Sequence, residues 1–133
     1  MTKKSFDYDE TISFDGRPNR VVIDLINEYA ANGHICIIVT ARNRDFYDIQ
    51  LIDGFICEHN LPISEVYFTN HELKGVTLFE AGADTHYDDS DKHLESAARI
   101  GIKAFKVDGD MVTEFIVPVE SSLDRVLKRF ESL

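Results

Sequence analysis

The run Ile35-Cys36-Ile37-Ile38-Val39 constrains this chain more than any other segment. Five consecutive apolar residues, mostly β-branched, are too short for a buried helix. They suit a strand covered on both faces, which is the habit of parallel sheets. An amphipathic stretch precedes it. Asn19 to Asn32 places Val22, Leu25, Ile26, Tyr29 and Ala30 on one helical face, with Pro18 near its start and Gly33 beyond its end. A second follows at Arg44 to Asn60, with Phe46, Ile49, Ile52, Phe55 and Ile56 as its expected buried stripe.

The alternation continues along the chain. Ser5 to Tyr8 and Glu65 to Thr69 read as strands, His71 to Ala81 as a helix weakened by Gly75, and Ala83 to Tyr87 as a more polar strand. Ser90 to Ile100 reads as a helix ended by Gly101, and Ile102 to Val107 as a fifth strand. Asp108-Gly109-Asp110 turns the chain into an extended piece, Met111 to Val117. A last helix carries Leu123, Val126, Leu127 and Phe130 on one side. Strand and helix alternating in this way predict a three-layer, Rossmann-like α/β fold: a mainly parallel five-stranded sheet with helices on both faces. At 133 residues the expectation is a single domain, 1–133.

Composition narrows the function classes. The formal net charge of −10 disfavours a long nucleic acid unless basic residues gather locally, but not a phosphorylated small molecule held through a divalent cation. No apolar run reaches the roughly 18–20 residues of a membrane span, and no secretory leader is read at the start, so the expected location is cytoplasmic. Cys36 and Cys57 both fall in apolar stretches and read as buried free thiols of a reducing compartment.

Ligands of open α/β sheets bind beyond the carboxyl ends of the strands. The polar residues expected there are Asp7, Asp9 and Thr11 after the first strand, and Thr40 and Arg42 after the second. Asp88 and Asp89 follow the fourth strand, with Lys74 ahead of it. Four carboxylates at one sheet edge repel one another unless a hard cation neutralises them, and few carboxylates plus water describe Mg²⁺. The set also fits phosphoryl transfer. An Asp can attack phosphorus, a second Asp can move protons if the chain turns after Asp7, and Thr40 and Lys74 can hold phosphoryl oxygens.

Phe6-Asp7-Tyr8-Asp9-Glu10-Thr11 resembles the first motif of the haloacid dehalogenase (HAD) superfamily, Asp-x-Asp-x-Thr. Ile37-Ile38-Val39-Thr40 looks like its second motif, Lys74 is placed like its third, and His86-Tyr87-Asp88-Asp89 is similar to its fourth. The resemblance covers roughly residues 4 to 107. It implies that Asp7 is a nucleophile and metal ligand, and that Asp9 is the acid/base and a ligand through its backbone carbonyl. It further implies that Asp89 is a metal ligand, with Asp88 beside it as a ligand or an orienting acid, and substrate contacts by Thr11, Thr40, Arg42 and Lys74. Mg²⁺ is the implied cofactor. The implied activity is a phosphomonoester hydrolase working through an aspartyl phosphate; the alternative is a catalytically silent phosphate-binding or regulatory protein. Glu10 stands where most family phosphatases have Gly, a form that occurs in members acting on phosphoproteins. Only Ile12 to Pro18 separates Thr11 from the first helix, so no cap domain is expected. An open site suits a bulky substrate or a mouth partly covered by a neighbouring subunit; the phosphorylated partner is a small molecule, a nucleic acid end or a phosphoprotein.

Other readings meet specific obstacles. A response-regulator receiver places its acidic pair first and needs an Asp after the third strand, where this chain has Thr69-Asn70. Asp84 to Glu95 has the length of an EF-hand loop, but Asp89 stands at its sixth position, where that loop needs Gly. The histidines lack zinc-ligand spacing.

Overall fold

In the computed structural model, the two-residue period of the central strand separates two cores. Cys36 and Ile38 face one, Ile37 and Val39 the other. This strand, β4 (Ile35–Thr40), lies between β1 (Lys3–Phe6) and β5 (Ile63–Phe68), parallel to both. On the other side of β1 come β6 (Ala83–Asp88) and β7 (Lys103–Asp108), also parallel, and then β8 (Met111–Glu114), antiparallel to β7. The order is β5-β4-β1-β6-β7-β8. The structure describes residues 2–117; the apolar stripe at Leu123, Val126, Leu127 and Phe130 lies outside them.

Helices α1 (Arg20–Ala31) and α2 (Phe46–Glu58) bury Val22, Ile23, Ile26, Ile52 and Phe55 against one sheet face. Helices α3 (Gly75–Ala81) and α4 (Asp91–Ala98) bury Leu78, Ala81 and Ala97 against the other. The three-layer arrangement expected from the sequence is therefore present, with six strands instead of five. The Gly109-Asp110 turn folds Met111–Glu114 back onto β7 as a hairpin, so the extended piece joins the sheet edge. A further hairpin pairs β2 (Ser13–Phe14) with β3 (Arg17–Pro18) between β1 and α1. Asp15 and Gly16 both have positive φ, 51° and 78°, the backbone that a tight two-residue Asp-Gly hairpin turn requires.

Two local expectations are corrected. Phe46 is 77% exposed and not part of the α2 stripe, because the helix begins at this residue, capped by Asp45, and its first turn is in solvent, with Tyr47 exposed beside it. Cys57 is exposed on α2, whereas Cys36 is buried and its thiol is pushed up to about 11 by burial. No helix among the described residues is long and apolar enough to cross a membrane.

Candidate functional site

The chain runs β1, α1, β4, α2, β5 in one direction across the sheet and then crosses through α3 to begin again at β6. The reversal falls between β1 and β6, so the carboxyl ends of these adjacent strands form the crevice where such sheets bind ligands. Asp7 directly follows β1, and Asp88 and Asp89 stand at the end of β6. The backbone N–H of Asp7 donates to the Tyr87 carbonyl at 2.8 Å, which fixes the two ends together.

Asp7, Asp88 and Asp89 each offer a carboxylate oxygen, all within 4.8 Å of one another. Lys74, at the N-cap of α3, reaches the first two. Its Nζ donates to Asp7 Oδ1 at 2.8 Å and to Asp88 Oδ2 at 2.6 Å, and the lysine is fully buried. Gly75, the next residue, lets the start of α3 lie close against Ser96 of α4. A Cβ at that position would lie 2.6 Å from Ser96 Oγ and 2.8 Å from the Ser96 carbonyl oxygen. The Gly75 N–H donates to the same Ser96 hydroxyl at 3.0 Å, docking the start of α3 on α4.

Burial raises Asp7 well above the usual carboxylate range, and the neighbouring Asp88 adds to it; the Lys74 ammonium only partly opposes them. Burial also raises Asp89, with Asp88 contributing. Asp88 goes the other way: burial alone would raise it, but a hydrogen bond with His86 and the Lys74 charge hold it far below the usual range. Lys74 itself is raised, because Asp7 and Asp88 outweigh the cost of burying its charge.

The carboxylates thus differ in role. Asp88 is the most engaged: Oδ2 meets both Lys74 and the His86 Nε2, at 2.6 and 2.7 Å, while Oδ1 accepts only from the Ser90 N–H, at 3.0 Å. Asp7 and Asp89 form the open side, Asp89 being partly exposed. A cluster of hard oxygen donors, two of them raised by burial and by a neighbouring acid, is what a small divalent cation would neutralise. These three residues could hold such an ion.

His86 lies in the segment similar to the fourth motif, which implies no role for it, yet it is a member of the site. It is fully buried, burial keeps it neutral, and its Nδ1 contacts the Ser5 hydroxyl at 2.9 Å. Ser5 and His86 are register partners on β1 and β6, so Ser5, His86, Asp88, Lys74 and Asp7 form one buried polar chain. The signal in the sequence was polarity at matching positions of two core strands, Ser5 and His86, which only the pairing register makes visible.

The chain turns between Tyr8 and Ile12, with Glu10 at φ 57°. Thr11 is brought to Asp7, its Oγ1 donating to Asp7 Oδ2 at 3.4 Å. Thr40 ends β4 next to β1, fully buried, and its Oγ1 accepts from the Arg42 N–H at 3.2 Å. The Asp9 side chain is held by Arg42 and not grouped with the acidic trio: Arg42 donates to both of its oxygens, and a third donor goes to Asp48 at 2.6 Å. The hydrogen bond to Asp9, aided by the one to Asp48, raises Arg42 above its ordinary value. Its guanidinium is thereby committed to carboxylates of the protein and not to a free phosphoryl position.

No family model and no curated protein matches the sequence. The fold is similar to that of a chain in the solved structure of a Pnkp1/Rnl/Hen1 complex, with a TM-score of 0.65 and 16% identity over 80% of this chain. The match spans 46% of that chain, so this protein corresponds to about half of it, and the likeness is one of fold.

Proposed function

We propose that the chain is a Mg²⁺-dependent phosphomonoester hydrolase of the HAD kind, working through an aspartyl phosphate on Asp7. The observation that supports it is convergence. Asp7, Lys74, Asp88 and Asp89 come from separate parts of the sequence and meet at the switch point of a Rossmann-like sheet. The likeness in fold to a chain of the Pnkp1/Rnl/Hen1 complex is compatible with this reading.

Asp7, Asp89 and, through its remaining capacity, Asp88 would hold Mg²⁺, with the Asp9 backbone carbonyl as the fourth protein ligand. The ion would offset phosphoryl charge and permit Asp7 to react as a carboxylate. Lys74 and Thr40 hold phosphoryl oxygens. Asp7 attacks phosphorus and the bond to the leaving oxygen breaks, that oxygen taking a proton from Asp9. Asp9 then takes a proton from water, whose oxygen attacks phosphorus, and the Asp7–phosphorus bond breaks to release phosphate. Asp9 must leave Arg42 for the first of these transfers, since both of its oxygens are engaged there.

That clamp is also the one observation favouring a second reading, a phosphate-binding protein without turnover. Hydrolysis of para-nitrophenyl phosphate with and without Mg²⁺, against Asp7→Asn, separates them. Mg²⁺-dependent turnover lost in Asp7→Asn supports the hydrolase. Phosphate binding with no turnover above that variant, across a broad panel of esters, supports the silent protein.

A further inference from the structure

A cleft of about 420 Å³ opens at the same sheet edge, lined by Phe14, Asp15, Arg17, Pro18, Asn19, Arg20, Gly109 and Asp110. One wall is the β2–β3 hairpin, which follows β1; the other is the turn after β7. Strands β1 and β7 are the two neighbours of β6, whose end carries Asp88 and Asp89. The hairpin is tied to the nucleophile loop, with Ser13 N–H donating to the Tyr8 carbonyl at 3.0 Å and Glu10 N–H to the Ser13 carbonyl at 2.7 Å. Asn19 joins the walls, its side-chain amide donating to the Gly109 carbonyl at 2.7 Å.

The residues in this cleft have a common chemistry. Phe14 and Arg17 are directly opposed in the hairpin, so ring and guanidinium share one face, and Phe14 is 45% exposed. The described residues include five arginines, of which Arg17, Arg20, Arg42 and Arg44 lie in segments leaving the carboxyl ends of β1 and β4. Arg42 and Arg99 are paired with acids. Arg17 and Arg20 make no ion pair with a described residue, although Asp15 and Asp110 line the same cleft. In a chain of net charge −10, this is an uncommitted cationic pair beside an exposed ring.

We infer that this cleft is the leaving-group subsite of the hydrolase, taking a nucleotide that carries a second phosphate. Arg17 and Arg20 bind the second phosphate, Phe14 stacks on the base, and one of the two acids, Asp15 or Asp110, accepts from the free 2′-hydroxyl of the ribose. Bare polyphosphate would meet the two acids unfavourably, and a sugar bisphosphate would leave the Phe14 face unused. The assignment rests on the hydrolase reading, and its test is arranged to fail separately from it.

The substrates are adenosine bearing phosphates on its 3′ and 5′ hydroxyls, and para-nitrophenyl phosphate as reference. For the wild type, Arg17→Ala/Arg20→Ala and Phe14→Ala, the measured quantity is the ratio of kcat/KM for the first to that for the second. We expect each variant to lower this ratio about tenfold or more, through KM. A binding arm needs no turnover: in Asp7→Asn, the two Arg→Ala changes should weaken affinity for the nucleoside bisphosphate by about the same factor. Turnover of the reference ester with an unchanged ratio overturns the subsite and leaves the hydrolase standing. Arginine-dependent nucleotide binding without turnover of any ester overturns the hydrolase and leaves the cleft as a nucleotide site.

Discussion

Arg42 grips Asp9 through Nε and Nη2, each 2.8 Å from a different carboxylate oxygen. A planar fork on a planar acid is the tightest geometry available to such a pair, and Asp48 anchors the guanidinium from the other side. The acid/base assigned to Asp9 thus starts from an oriented but occupied carboxylate.

Leaving-group dependence reads this relationship. Asp9→Asn should lower kcat for alkyl phosphates by about 10²–10³-fold and for aryl phosphates much less, because good leaving groups need little protonation. Arg42→Ala should show the same bias in weaker form, since it disorders Asp9 without removing it. Steady-state rates on a matched ester series check this; equal losses on both ester types would remove Asp9 from proton transfer.

Lys74 is the only cation bonded to the buried pair Asp7 and Asp88 among the described residues. Lys74→Met should destabilise the metal-free protein by about 3–5 kcal/mol, because two carboxylates lose their buried partner. Mg²⁺ should recover part of that loss by supplying charge to the same oxygens. Urea unfolding with Mg²⁺ and with a chelator measures both; a loss indifferent to Mg²⁺ would count against a cation site here.

Much of this site was legible in the sequence for a physical reason. Asp7, Thr40 and Asp88 stand where apolar strands end, and the pattern that marks a strand also marks its end. Asp9 and Lys74 were found by motif order, but the contacts that place them were not, because Arg42 reaches Asp9, and Ser96 reaches Gly75 beside Lys74, across the fold. Phe46 misled because helical period says which face a residue takes and nothing about whether that face is covered there. The β2–β3 hairpin went unread although Asp15-Gly16 is a strong turn signal, since its strands of two residues are too short to alternate.

Gly75 bears on both packing and site. Gly75→Ala places a methyl 2.8 Å from the Ser96 carbonyl, which cannot rotate away, so the start of α3 must move and carry Lys74 with it. A loss of about 1–3 kcal/mol is expected, with reduced turnover. Ser96→Ala in the same chain should not restore either, because the backbone clash remains. Thermal unfolding and activity of the two variants test this; full rescue by Ser96→Ala would place the clash on the hydroxyl alone.

His93 gives a pH dependence with a defined sign. It is buried with its Nδ1 unpartnered among the described residues, and burial, helped by the nearby Lys74 charge, lowers it from 6.5 to about 4. The folded protein keeps it neutral while the unfolded chain takes up a proton below 6.5, so its contribution is present above that pH and lost as pH falls toward 4. The slope is at most about 1.4 kcal/mol per pH unit. His93→Leu should flatten the stability profile within this window relative to the wild type. Parallel profiles in denaturant melts would contradict the buried neutral state.

The central claim is that Asp7 becomes covalently phosphorylated, and acid quenching during turnover of a radiolabelled phosphate ester tests it most directly. The account predicts Mg²⁺-dependent label on the peptide containing Asp7, removable by hydroxylamine as an acyl phosphate must be, and none in Asp7→Asn. Steady hydrolysis with no label on that peptide, or label that persists in Asp7→Asn, would contradict it.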